Sequence, residues 1–574
     1  MDTLFTTKPL ASDRRDYLGV MLPVTIWLIA VVAVNPLGNI PLNDDWSYAL
    51  TVRTLLETGQ FTPGGYTSMT LVGQTLWGAL FCLPFGFSYT ALRVSTIVAG
   101  ALALAALALL LQDAGCSRRK TVAATLVLGF NPIWLLLSLS FMTDIEFAAY
   151  SIVATMFFCR FLRSRKTGTL LLAIAFALAA VSVRQLGLNL AMAMFAALVL
   201  ESRKDKRAIA LSAAGIAAGI ALLAGLVLWL SARHALPALA NAPTEWLGRS
   251  LTSLRTLAVK FEQYGRGVIV HIGWFLCPVL LWRAPAMIAS YRRRRYGRAI
   301  LVAAGALGAV WFALMAAVHP LPFDWVTIND AGLGPVRLHS APGTLPGPAP
   351  LPKAFWMLMT FIAVSGATLM LLEVGLVVIS LVNALRRRQF DSDASLRAFL
   401  LFNAVIYLGP LLMAGYFDRY LLVPTFALLA LITVEWQWAE NATQREMPHK
   451  GARGFAAAAV FSLVLTGAYA VAGTHDYMSW NRARWSLLDT LLSQGVKPAQ
   501  IDGGEEFNGT YLYDPNYVDS PTKSFWWVQD DEYLVQFGGE DGYHTVASAE
   551  VDGWLPNFRT SLLALRRDAH SPQH

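Results

Sequence analysis

Charge is scarce in this chain: only 14% of its 574 residues are Asp, Glu, Lys or Arg, against 56% hydrophobic residues. A soluble domain carries about 25% charged residues, so this composition excludes an ordinary soluble enzyme and marks an integral membrane protein. Cysteine is rarer still. The 4 cysteines, Cys82, Cys116, Cys159 and Cys277, sit in or beside apolar runs, and the polar stretch 474–574 has none, which excludes a disulfide framework. Also missing are a P-loop, a dinucleotide-binding fingerprint, an HExxH pair and a GxSxG in a strand-turn-helix setting. The net charge of +8 does not imply nucleic acid, because the basic clusters "RFLRSRK", "ESRKDKR", "SYRRRRYGR" and "LRRRQF" each border an apolar run, as membrane flanks do.

What the chain does have is spans. A bilayer crossing needs about 20 apolar residues, and such runs lie near 18–38, 90–111, 121–138, 208–231, 267–289, 299–318, 354–384, 396–415, 420–438 and 454–473, with a shorter one at 147–162. Residues 168–200 are too long for one upright crossing and are interrupted by Arg184 and Gln185, so they read as two short helices, 168–183 and 187–200, with a polar apex. The first run has no small-residue cleavage site and reads as an uncleaved anchor. About 13 spans result. The positive-inside rule then gives a cytoplasmic N-terminus near "DRRD" and puts every remaining Arg/Lys cluster, at 118–120, 292–298, 386–388 and 445–453, on the same side. The opposite, periplasmic or extracellular side of the bacterial inner membrane receives the loops 39–89, 232–266 and 319–353, the turns "FMTDIEF" and "GYFDRY", and the tail 474–574. That tail is expected to be a small α/β domain with a helix over "WNRARWSLLDTLLSQG" and strands over "HTVASAEV" and "RTSLLALRR". The Pro-rich stretch 340–353 reads as an extended loop.

The residues that bear chemistry gather on that outer side. In "PLNDDWSYALTVRTLLETGQF", residues 41–61, Asp44 and Asp45 precede an amphipathic helix with Tyr48, Ala49, Val52, Leu55 and Leu56 on one face. The pair reads either as an acidic N-cap of an interfacial helix or as a group that deprotonates a hydroxyl or holds a cation beside a lipid phosphate. Asp144 and Glu146 form a second acidic group in "FMTDIEF", where carboxylates near hydrocarbon are costly and so suggest function, with helix capping as the competing role. Arg93, Arg184 and Arg419 are the basic candidates, since a guanidinium fork fits a phosphate; snorkelling or an Asp418–Arg419 surface pair is the alternative. Glu373 lies deep in a long span. Arg233, His234, Arg266 and His271 lack metal-ligand spacing, and "NGT" at 508–510 matches a glycosylation sequon.

Taken in order, an N-terminal span, "DDWSYALTVRTLLETGQF", "FMTDIEF", the "SVRQLGL" hairpin, "FDRYLLVP" and an outer C-terminal domain resemble the GT-C superfamily of membrane glycosyltransferases. Within it they are similar to the glycosyltransferase family 39-like branch, which includes protein O-mannosyltransferases and the lipid A aminoarabinose transferase. The resemblance spans nearly all of 1–473 and does not clearly extend to 474–574. It implies a GT-C fold, a polyprenyl monophosphate sugar as donor, inversion at the anomeric carbon, and a lipid, glycan or protein acceptor. An acidic residue of the first outer loop would be the base, here Asp44, with Asp45 and Asp144 as electrostatic partners and Arg184, Arg419 and Arg93 on the donor phosphate. A divalent cation held by Asp45, Asp144 and Glu146 is a further expectation. The aminoarabinose enzymes follow the first outer helix with a Lys-Pro-Pro type segment, whereas this chain has "GGYTSMTLVGQTLWG", so sugar and acceptor stay open. Two rival classes remain: a lipid or glycan flippase, which calls for repeats and helices interrupted at mid-membrane, and a membrane sensor without catalysis.

Overall fold

The computed structural model describes residues 16–323, 327–338, 348–443, 452–518 and 526–569. Residues 13–15 and 445–451 of two of the basic clusters and much of the Pro-rich stretch 340–353 lie outside the described residues. Of the described residues 71% are helical. Among the described residues 9 helices are long and apolar enough to cross a membrane, and Tyr17–Ala33, Thr167–Val183 and Gln185–Leu200 are shorter apolar helices. Local chemistry starts several of them. Ser88 accepts from the Ala91 amide, Asp205 from Ala208 and Asp391 from Ala394, each satisfying a donor the first helical turn leaves open.

The expected span at 121–138 is not one helix. Arg118–Gly129 stops, Asn131 accepts from the Ile133 and Trp134 amides, and Pro132 opens the short helix Pro132–Leu137. Proline lacks the N–H that would have continued the first helix and fits the first turn of the second. The hairpin over 168–200 forms as expected, with Arg184 extended (φ −141°, ψ 138°) between the two helices. At the last span, the helix Ala452–Ser493 runs 42 residues without a break, so the helix expected over "WNRARWSLLDTLLSQG" is its continuation. No Gly or Pro occurs between Thr474 and Gln494, and the chain turns only at Gly495, φ +87°.

This long helix carries the sheet at one end of the bundle. β1 (Ile501–Asp502) pairs parallel with β2 (Tyr533–Phe537), while β4 (Ser561–Arg567) lies antiparallel between β2 and β3 (Tyr543–Glu550). A helix, Glu505–Leu512, follows β1 and docks on the start of the helix Asp45–Thr58. The approach is close: a Cβ on Gly509 would stand 2.4 Å from the Trp46 ring, so only glycine fits. The first outer helix is therefore not a surface helix throughout. Its opening turns, Asp45 to Ala49, are buried, while Leu50 and the far end, with the Arg53–Glu57 pair at 2.9 Å, are exposed.

Candidate active site

Asp44 occupies the N-cap position of the helix Asp45–Thr58 but makes no capping hydrogen bond. Its Oδ2 accepts from Arg419 Nη2 at 3.0 Å, and its Oδ1 faces Arg337 Nη1 at 3.5 Å. The cap alternative is thus set aside by geometry: the carboxylate points away from its own helix, toward two guanidiniums from remote parts of the chain.

Asp45 does different work. Its Oδ1 accepts from the Leu42 amide at 2.6 Å, and its Oδ2 accepts from Ser140 Oγ at 3.0 Å and the Phe141 amide at 3.2 Å. It latches the 39–45 turn to the 138–142 turn. Burial pushes its carboxyl up to about 7, against the Leu42 amide and the nearby Arg93. Arg93, a phosphate candidate from the sequence, is engaged otherwise. Its guanidinium donates to the carbonyls of Leu139, Pro36, Gly38 and Ile40 at 2.6–3.0 Å, which straps the same turns together.

Asp144 pairs with Arg184 at 2.8 Å, and Arg184 Nε donates to Thr143 Oγ1 at 2.7 Å. Both Arg184 and Arg419 lie against the ring of Tyr420, at 4.8 and 5.6 Å from its centroid. Tyr420 therefore joins the Asp144–Arg184 pair to the Asp44–Arg419 pair. Glu146 turns to another face, accepting from Thr96 Oγ1 at 2.8 Å and lining an apolar cavity of about 160 Å³. The cation expectation for Asp45, Asp144 and Glu146 fails on this point: the three carboxylates have separate partners. Among the described residues no cluster of three His, Cys, Asp or Glu could hold a metal ion.

Asp418 does not form a surface pair with Arg419. It is buried, and its Oδ2 accepts from the Thr327 and Ile328 amides at 3.1 and 2.7 Å, anchoring the loop that follows. That loop delivers Arg337, which sequence reading missed. Arg337 Nη1 pairs with Glu505 as well as facing Asp44, and its guanidinium lies 5.4 Å from the Trp526 ring. Glu505 and Glu506, also missed, start the helix on the sheet-bearing region. The Glu505 amide donates to the Arg337 carbonyl at 2.9 Å, and the Glu505 carboxyl meets the same Arg337 Nη1 that faces Asp44. Glu506 accepts from the Asn43 amide at 3.0 Å and from Arg484 at 2.8 Å. Gly504 makes this approach feasible, with φ +88° and the Arg337 carbonyl 2.7 Å from where a Cβ would be. The available signal was the "GGEEF" run itself: two acidic residues after paired glycines in a tail otherwise read as a generic domain. The sequon match carries nothing, since Asn508 is buried and donates to Asp502 Oδ1 at 2.8 Å.

Beside the carboxylates stands an aromatic wall in which Trp46, Tyr66, Tyr513 and Trp527 meet with centroids 5.1–6.1 Å apart. Tyr420 also lines a cavity of about 320 Å³, together with Trp246, Arg249, Lys260 and residues 414–417. A larger apolar cavity of about 570 Å³ lies between the helices Leu254–Arg292 and Gly297–Val318, with Arg266 and His319 in its lining.

No family model matches the chain, and no curated protein matches it. Among solved structures it is similar to ArnT from Cupriavidus metallidurans in the apo state, at 13% identity over 95% of this chain and 97% of that one, with a TM-score of 0.38. It is likewise similar to ArnT from Cupriavidus metallidurans bound to undecaprenyl phosphate, at 14% identity over 96% and 98%, with a TM-score of 0.40.

Proposed function

We propose that this protein is a membrane glycosyltransferase of the GT-C type, which takes a sugar from a polyprenyl monophosphate on the outer face of the membrane and passes it, with inversion, to a hydroxyl or similar group of a lipid, glycan or protein. The observation that carries this reading is the Asp44–Arg419 pair at 3.0 Å, buried at the sheet-bearing end of a membrane bundle. A carboxylate beside a guanidinium there offers the two groups the reaction needs. Displacing phosphate from an anomeric carbon leaves an anion that wants charge neutralisation, which Arg419 supplies with Arg184 behind it across Tyr420. The acceptor must lose a proton as the new bond forms, and Asp44 is the group to take it.

Arg419 has capacity for a ligand. Its Nε and Nη1 are buried with no hydrogen-bond partner among the described residues, an expensive arrangement for a guanidinium unless an anion visits it. The apolar cavity of about 570 Å³ suits a lipid chain, and the 320 Å³ cavity with Arg249 and Lys260 suits an anionic headgroup approaching Tyr420. No nucleotide-binding loop occurs in the sequence, which favours a lipid-linked donor.

The test uses purified protein in nanodiscs with a polyprenyl monophosphate sugar, and follows release of polyprenyl phosphate with a candidate acceptor and no nucleotide sugar. Turnover that falls about 10²-fold or more in Asp44→Asn, as loss of a general base requires, is expected. A variant that keeps wild-type turnover at saturating substrate would remove Asp44 from the chemistry.

A further inference from the structure

Asp44 in its resting contacts is a poor base. Burial works to raise its carboxyl, but the guanidiniums of Arg419 and Arg337 outweigh it, and the carboxyl is held below the ordinary Asp value. A catalytic base works best when its proton affinity is matched to the operating pH, and two cations in contact oppose that. Glu505 is the opposite case: burial pushes it up to about 8, with the Arg337 guanidinium working against the rise. Two carboxyls that meet one guanidinium, one ionised and one protonated, carry a single negative charge more cheaply than two.

Two geometric facts suggest what changes this state. Arg419 touches Asp44 through Nη2 alone, while its Nε and Nη1 have no partner among the described residues. Arg337 bridges Asp44 and Glu505, so charge moved at one carboxyl is felt at the other. The remaining groups facing the pair are the Tyr48, Tyr66 and Tyr420 hydroxyls, Asp144 with its Arg184, and Glu506, which Arg484 neutralises.

We propose that Asp44 and Glu505 act as one carboxyl pair holding a single proton at rest, and that an arriving phosphate monoester switches Asp44 on as a base by drawing Arg419 away from it. This rests on the glycosyl-transfer reading above for its consequence, but not for its first step, which is binding. In the transfer, the acceptor O–H bond breaks and its proton goes to Asp44. The freed oxygen lone pair forms the bond to the anomeric carbon, the bond from that carbon to the phosphate oxygen breaks, and the electron pair leaves on the phosphate, where Arg419 meets it. The pair then holds two protons and returns one to water as the products depart. Glu505 is a positioning residue in this scheme: its protonated carboxyl donates to Asp44 and keeps the resting carboxylate in place until the phosphate arrives.

The experiment has two arms. In the first, a short-chain polyprenyl monophosphate without sugar is added to the full-length protein at mildly acidic pH, and proton uptake is measured against the Asp44→Asn variant, which cancels the ligand's own titration. Uptake by wild type and by Glu505→Gln, whose amide can still donate to Asp44, is expected in excess of Asp44→Asn. Equal uptake in wild type and Asp44→Asn overturns the proposal, whatever the reaction turns out to be. In the second arm, the acidic limb of kcat, which reports the substrate-bound enzyme, should lie at least about one pH unit above that of kcat/KM, which reports the free enzyme. Glu505→Ala should raise the kcat/KM limb and Glu505→Gln should leave it in place, a distinction that a merely structural role would not make. Coincident limbs in wild type overturn the switch. Uptake without sugar transfer to any acceptor would retain the pair and instead defeat the glycosyl-transfer reading.

Discussion

Arg484 and Glu506 pair at 2.8 Å with both side chains wholly buried, and the same Glu506 carboxylate accepts the Asn43 amide. Asn43 has a positive φ of 57°, so the turn that presents Asp44 is held in an uncommon conformation by a residue of the sheet-bearing region. Breaking a buried pair by removing one partner leaves a desolvated charge, at a cost of about 3–5 kcal/mol. Arg484→Met and Glu506→Gln should each lower the thermal unfolding midpoint in detergent clearly, and the double variant should recover part of the loss. Strictly additive losses would mean that the two side chains do not interact as the geometry indicates.

Arg93 and Arg419 are both buried arginines near the same acidic turn, and replacing each by Lys should separate their roles. Lys cannot reach four carbonyls at once, so Arg93→Lys leaves backbone acceptors unsatisfied, at about 1–3 kcal/mol each, and should act on stability with turnover per folded molecule retained. Arg419→Lys should keep the fold but lower turnover by about 10²–10³-fold, the range for losing one preorganised donor to a developing anion. The comparison is read from unfolding midpoints and from activity normalised to folded protein. A stable Arg93→Lys with lost donor binding would return Arg93 to the phosphate.

Much of the fold was legible because a bilayer imposes length and hydropathy on each crossing, and the hairpin could be placed from two adjacent polar residues, Arg184 and Gln185, in an apolar run. The break at Asn131–Pro132 was equally written in the residues, but a hydropathy reading passes over it because the whole stretch is apolar. The site was half legible. Asp44, Asp144, Arg184 and Arg419 stand next to hydrocarbon, where an ionisable group is conspicuous. Arg337, Glu505 and Glu506 stand in polar segments where charge is unremarkable, and only the docking of Gly509 on Trp46 and of Gly504 on Arg337 brings them to Asp44. Arg93 is conspicuous by the same position next to a membrane, while its carbonyl partners, from residues 36 to 40 and 139, depend on tertiary structure and were not legible.

Orientation is tested by labelling. All 4 native cysteines are buried and can remain in place. A cysteine at exposed Asp541, in the turn before β3, should react with an impermeant maleimide in intact cells once any outer membrane is opened, and one at exposed Gln389, beside the "LRRR" cluster, should react only after the inner membrane is permeabilised. The reverse pattern would put the sheet and Asp44 on the cytoplasmic side and rule out an outer-face reaction.

Glu505 should also make stability depend on pH, and the sign follows from its environment. Burial pushes its carboxyl up to about 8 in the folded protein, above the 4.5 of an unconstrained glutamate. The folded state therefore binds this proton more tightly than the unfolded chain does. A group raised in this way contributes stability that is complete below the unfolded value and is lost as pH rises through the folded one. The unfolding midpoint of the wild type should accordingly fall as pH rises from about 4.5 to about 8, where the unfolded chain has released this proton and the folded protein still holds it, and level off above that range. Arg337, paired with Glu505, limits the loss without cancelling it, since its guanidinium is shared with Asp44. Glu505→Gln cannot ionise and should flatten that part of the curve, whereas Glu506→Gln should shift the curve downward and keep its slope. If wild type and Glu505→Gln lose stability in parallel over this range, Glu505 does not hold a proton in the folded protein at neutral pH, and the pH sensitivity belongs to another group.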